Sequence, residues 1–70
     1  MKIIINGEAR EVPAGTSVAA AVSGYTGRSG PAEAGLAAAL NDEVVRRSQW
    51  EATTLKEADR LEVLTAVQGG

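Results

Sequence analysis

The clearest alternation in the chain runs from Leu61 to Gln68, where Leu61, Val63, Thr65 and Val67 interleave with Glu62, Leu64, Ala66 and Gln68. That period of two belongs to a half-buried strand. At the other end, Met1 to Ile5 is a β-branched run that stops at Asn6-Gly7. Asn-Gly between strand-like segments predicts a two-residue hairpin, because a type I′ turn needs φ > 0 at both central positions. Glu8 to Val12 is then the returning strand, closed by Pro13-Ala14-Gly15. From Val18 the period changes: Val18, Ala21, Val22 and Tyr25 fall at i, i+3, i+4 and i+7, the apolar stripe of a short helix. Thr16 or Ser17 is positioned to cap it, and Gly24 to stop it.

Leu36 to Leu40 is apolar over the length of a strand. Asn41-Asp42-Glu43 reads as a polar turn and Val44-Val45 as the return, giving a second, shorter hairpin. Ala52 to Leu55 has room for a short edge strand, and Lys56 to Arg60 is a charged turn into the final strand. Trp50 is expected to lay its ring against the rim of the sheet. Between helix and second hairpin stand Gly24, Gly27, Gly30 and Gly35, with one helical turn expected over Pro31 to Ala34. The Gly-Lys-Ser/Thr ending of a phosphate-cradling loop is missing, so this stretch reads as a connection.

A last strand with one apolar face must find partners. The economical arrangement inserts it beside the first strand, in parallel, with the helix crossing one face. The expected class is therefore α+β, a mixed sheet packed on one main helix in the β-grasp manner. Residues 1–70 make one domain, with a globular body over 1–66 and an extended, flexible tail over 67–70.

Composition narrows the chemistry. Seventy residues support one small core. With neither Cys nor His, the chain lacks disulfides, a thiolate, the usual general base and the commonest metal ligand. Ser17, Ser23, Ser29 and Ser48 have no base to activate them. Asp42-Glu43 and Glu57/Asp59 fall in turns and lack calcium-loop spacing, so no metal site is expected. A net charge of −2 argues against nucleic acid. No apolar run reaches signal-peptide or membrane-span length, so a cytoplasmic protein with no membrane partner is expected.

What remains is the end of the chain. Gly69-Gly70 carry no Cβ and can lie extended in a channel that any side chain would block. A terminal carboxylate is ionised at neutral pH. It can attack the α-phosphorus of ATP to give an acyl-adenylate, provided a partner supplies the site. Gly70 is thus the candidate reactive residue, with Gly69, Gln68 and Val67 threading the partner. If Ile3, Ile5, Leu61 and Val63 face the helix, then Ile4, Leu64 and Ala66 point outward as a candidate docking patch.

The chain resembles the ThiS family of sulfur carrier proteins, within the ubiquitin-like group that includes MoaD. The resemblance rests on Ile3-Ile4-Ile5-Asn6-Gly7, Gly15-Thr16-Ser17-Val18 and Ala37-Ala38-Ala39-Leu40-Asn41, then Val44-Val45-Arg46-Arg47-Ser48-Gln49-Trp50, Leu61-Glu62-Val63 and Gly69-Gly70. Arg46 stands where the family commonly has Pro, and Ala58-Asp59 where it commonly has a Gly-Asp turn. The resemblance implies a ubiquitin-like β-grasp that is a co-substrate and not an enzyme. Gly70 would be adenylated by a ThiF-like enzyme, which uses the ATP. Sulfur from a cysteine desulfurase would make it a thiocarboxylate, donated to a ThiG-like synthase for the thiazole of thiamin. A carrier for another sulfur-containing metabolite and a protein-conjugating modifier share the first step and stay open as alternatives.

Overall fold

In the computed structural model, residues 1–27 and 35–65 are described. The expected turn over Pro31 to Ala34, Ala66 of the docking patch, and tail residues Val67, Gln68, Gly69 and Gly70 all lie outside them. The described elements are β1 (Lys2–Ile5), β2 (Glu8–Glu11), α1 (Val18–Thr26), β3 (Leu36–Leu40), β4 (Glu43–Val45) and β5 (Arg60–Thr65), with a 3₁₀ turn at Arg47–Gln49. The strands form one sheet in the order β2-β1-β5-β3-β4.

Both hairpins close through two residues with positive φ: Asn6 and Gly7 at 50° and 82°, Asn41 and Asp42 at 50° and 73°. Ile5 pairs with Glu8, and Leu40 with Glu43, directly across these turns. The second turn is therefore Asn41-Asp42, and Glu43 already belongs to the strand. As expected, β5 lies parallel to β1, with Ile4 opposite Arg60 and Ile5 opposite Leu61. Its other edge runs antiparallel to β3 over five rungs, from Leu36 with Thr65 to Leu40 with Leu61. The last strand in sequence is thus the central strand of the sheet.

Helix α1 buries Val18, Ala21 and Val22, while Tyr25 is half-buried against the same cluster. The N–H groups of Val18, Ala19 and Ala20, normally orphaned at a helix start, all have partners, and Ala21 makes the first bond of the helix ladder. Val18 and Ala19 donate to the carbonyls of Thr53 and Trp50 at 2.9 and 3.1 Å, and Ala21 to that of Ser17 at 3.0 Å. Ala20 donates to the Ser17 hydroxyl at 3.1 Å. Ser17 is thus the cap. The helix does not stop at Gly24. It runs to Thr26 and ends on Gly27, whose φ of 73° is left-handed and whose N–H reaches Ser23 O at 2.8 Å. A single Gly costs a helix only about 1 kcal/mol against Ala, too little to end one whose next turn still packs Tyr25.

Two further expectations are corrected. Ala52 to Leu55 forms no strand; only Thr54 bridges to Ser17. The segment is held instead by the start of the helix, through the Val18 and Ala19 bonds, and by the residue before its cap, through Leu55 N–H to Thr16 O at 2.9 Å. Trp50 does not sit at the rim but in the core, at 1% exposure beside Ile3, Ile5, Leu55, Leu61 and Val63. Its indole N–H donates to Val45 O at 2.9 Å, so burial leaves no polar atom unpaired.

The charged turn before β5 carries one strained residue. Asp59 N–H bonds back to Lys56 O at 3.0 Å, placing Ala58 third in a four-residue turn with φ 69°. Positive φ at that position favours Gly. Ala58→Gly is expected to raise stability by about 0.5–1 kcal/mol, the relief of the left-handed backbone less the added freedom of the unfolded chain. A rise in Tm of ~2–8 °C in a calorimetric scan would register it.

Candidate functional site

Alternation along β5 decides which side chains can meet a partner. Leu61 and Val63 are buried against the helix; Glu62 and Leu64 stand on the outer face of the sheet. Leu64, 60% exposed, and Val44, 79% exposed, are the large exposed hydrophobic side chains among the described residues. Ala37 lies directly opposite Leu64, and Ala39 is shared between Glu62 and Val44. With only methyl groups between them, Leu64 and Val44 border a shallow apolar area spanning β5, β3 and β4.

Ile4 shares this outer face but not this corner. It is half-buried and pairs with Ala9 on one side and Arg60 on the other. Leu64 is four residues past Arg60, about 13 Å along the strand at ~3.3 Å per residue. Ile4 and Leu64 therefore do not form one continuous patch, as alternation alone had suggested. Ile4 instead lines a hollow of about 230 Å³ with Arg60, Asp42, Leu61, Glu62 and Gly7. Arg60 and Asp42 meet there at 3.4 Å, both largely exposed, so their pairing contributes little. A larger hollow, about 390 Å³, opens between β2 and α1. It is lined by Ile5, Arg10, Val12, Ala21 and Tyr25.

Two asparagines hold β5 in place, a role that their reading as turn residues missed. Positive φ turns the backbone of each away from the sheet, and its side chain returns to β5. Asn41 N–H donates to Arg60 O at 2.8 Å, and its Oδ1 accepts from Arg60 N–H at 3.0 Å. Its Nδ2 also reaches Asp59 Oδ1 at 3.0 Å. Asn6 N–H donates to Leu61 O at 3.0 Å. Further along, Asn6 Oδ1 accepts from Val63 N–H at 2.8 Å, and its Nδ2 donates to Val63 O at 3.2 Å. The one available signal was that both hairpin turns open on Asn. Val44 was legible in the same way, through its alternation with Val45.

Among the described residues no group of three or more Asp, Glu, His or Cys is placed to hold a metal ion. Nor is any described helix long and apolar enough to cross a membrane. The residues that follow β5, 66–70, lie outside the described ones.

Comparison with known proteins bears on those residues. The model of the ThiS family matches residues 3–70. A crystal structure of the thiamine biosynthesis protein ThiS from Geobacter metallireducens superposes with a TM-score of 0.79 at 30% identity, covering 100% of each chain. A solution structure of a thiamine biosynthesis protein from the same organism gives 0.72 at 30% identity, covering 100% of this chain and 88% of the other. No curated sequence matches the chain closely enough to transfer a role. With a family match that runs unbroken from the first strand to Gly70, and a ThiS structure overlaid along its whole length, the chain belongs to the ThiS family.

Proposed function

We propose that this protein is a sulfur carrier for thiamin biosynthesis, with the carboxylate of Gly70 as its reacting group. The observation that carries the reading is the reach of the family match, which includes Gly69-Gly70 as well as the folded body. An oxygen of the Gly70 carboxylate attacks the α-phosphorus of ATP in the site of a ThiF-like enzyme, and pyrophosphate leaves. The outer sulfur of a persulfide generated by a cysteine desulfurase then displaces AMP at the acyl carbon, and a thiol reductant cleaves the resulting acyl disulfide, leaving a thiocarboxylate. A ThiG-like synthase takes the sulfur from it. ATP and its metal belong to the activating enzyme; this chain is a co-substrate and contributes no catalytic side chain.

The body presents Gly70, and Val67, Gln68 and Gly69 thread the partner's channel. Leu64 on the outer face and Ile4 at its opposite corner supply docking contacts, and Ala66 joins them. Exposed apolar side chains on a small domain commonly mark such contacts.

Intact mass after incubation with the adenylating enzyme, ATP and a sulfur source tests the reading. A gain equal to one oxygen replaced by sulfur supports the carrier. High-mass protein adducts would instead identify a conjugating modifier, and an unchanged mass an inert binding module. Docking is tested separately by Leu64→Asp. The side chain is 60% exposed, so stability should stay within about 0.5 kcal/mol. KM for the carrier in adenylation should rise about tenfold, equal to ~1.4 kcal/mol for one lost apolar anchor. Unaltered kinetics would remove Leu64 from the contact.

A further inference from the structure

We propose that Asn6 is a positioning residue for the Gly70 reaction: its side-chain amide fixes the direction of β5 over its last residues, Val63 to Thr65. The inference rests on the reading of Gly70 as the reacting group. Strand β1 ends at Ile5 because Asn6, at φ 50°, carries the backbone off into the hairpin. In a parallel ladder that continued, the acceptor for Val63 N–H would be the main-chain carbonyl of Asn6. The Asn6 amide replaces that carbonyl with its own oxygen at 2.8 Å and adds a donor to Val63 O at 3.2 Å. The amide is steadied in turn by Tyr25 Oη, 3.4 Å from its nitrogen.

Past Val63, the described part of β5 has a backbone partner on one edge only. Leu64 and Thr65 pair with Ala37 and Leu36 of β3, while nothing from β1 continues beside them. A strand bonded along one edge can pivot about that ladder. The two Asn6 bonds, on the opposite edge and 57 residues away in sequence, oppose the pivot at Val63, two residues before the end of β5. A change in the direction of β5 there shifts the point from which residues 66–70 depart, and misplacement of about 1 Å can cost a reaction up to 10²-fold.

The turn itself does not need the amide, since Gly adopts positive φ as readily as Asn. Asn6→Gly therefore removes the tie and keeps the hairpin. With the variant as substrate of the adenylating enzyme and pyrophosphate release as the readout, kcat should fall about tenfold while KM for the carrier stays within about twofold. Hydrogen exchange at the Val63 amide should accelerate in parallel. Asn6→Asp provides a second variant, tolerant of the same φ. It keeps an acceptor for Val63 N–H but sets an oxygen against Val63 O, and its kcat should fall as well. A folded variant with unaltered kcat, or a change confined to KM, overturns the assignment. If the unaltered chain releases no pyrophosphate, the reading of Gly70 itself fails; if it does and both variants match it, only the role of Asn6 fails.

Discussion

A chain lacking Gly70 is expected to lose activation almost completely while melting at the temperature of the intact chain. The shortened chain still ends in a carboxylate, now on Gly69, so charge and chemical type are preserved. What changes is reach: the carboxyl carbon sits one residue short, about 3.3–3.6 Å for extended backbone. Attack on phosphorus requires the oxygen at near-contact distance, and a shortfall of this size should lower the rate of pyrophosphate release at least ~100-fold. Stability should not follow, because every buried hydrophobic residue among the described ones lies between Ile3 and Val63. Activation close to that of the intact chain would place the reacting group elsewhere. A large drop in Tm would show that the end of the chain contributes to the packed body.

The features legible in the sequence were those whose causes are local. Asn6-Gly7 demanded a two-residue turn, and that turn alone fixed the opening hairpin. Val18, Ala21 and Val22 declared a helix face, and the alternation through Leu61 and Val63 declared a strand with one side to hide. Placing that strand beside β1 then needed only the requirement that its apolar side be covered. The misread features depend on contacts distant along the chain. Gly24 and Gly27 look alike as helix stops, but the left-handed φ falls on Gly27, where the chain turns off the helix. Trp50 reads as a rim residue until the segment after it is tied to the helix through Thr53, Leu55 and its own carbonyl. The asparagine ties to β5 span 57 and 19 residues, beyond the reach of any local pattern. At the site, alternation assigned Ile4 and Leu64 to one face correctly. It could not give the register, and the pairing of Ile4 with Arg60 is what sets them a strand's length apart.

Trp50 provides the test of whether the activating partner reads the folded body or only the end of the chain. Its ring is 1% exposed within the core cluster, and its N–H satisfies the Val45 carbonyl. On the outer side the Arg47 guanidinium lies 4.9 Å from the ring centre. Trp50→Ala removes the largest buried side chain in the described core. The expected loss is ~3–5 kcal/mol. A domain of this size rarely holds more than about that in total, so the variant should be unfolded at 25 °C by circular dichroism. Trp50→Phe keeps most of the apolar volume but strands the Val45 carbonyl, at about 1–3 kcal/mol, and should fold with a lowered Tm. Both variants retain Gly69-Gly70. If recognition needs the outer face of the sheet, with Leu64 set opposite Ala37 and β5 held between its neighbours, the Phe variant should be adenylated normally below its Tm and the Ala variant hardly at all. Adenylation of the unfolded Ala variant at the intact rate would reduce the partner's requirement to the terminal residues and leave the β-grasp body without a part in recognition.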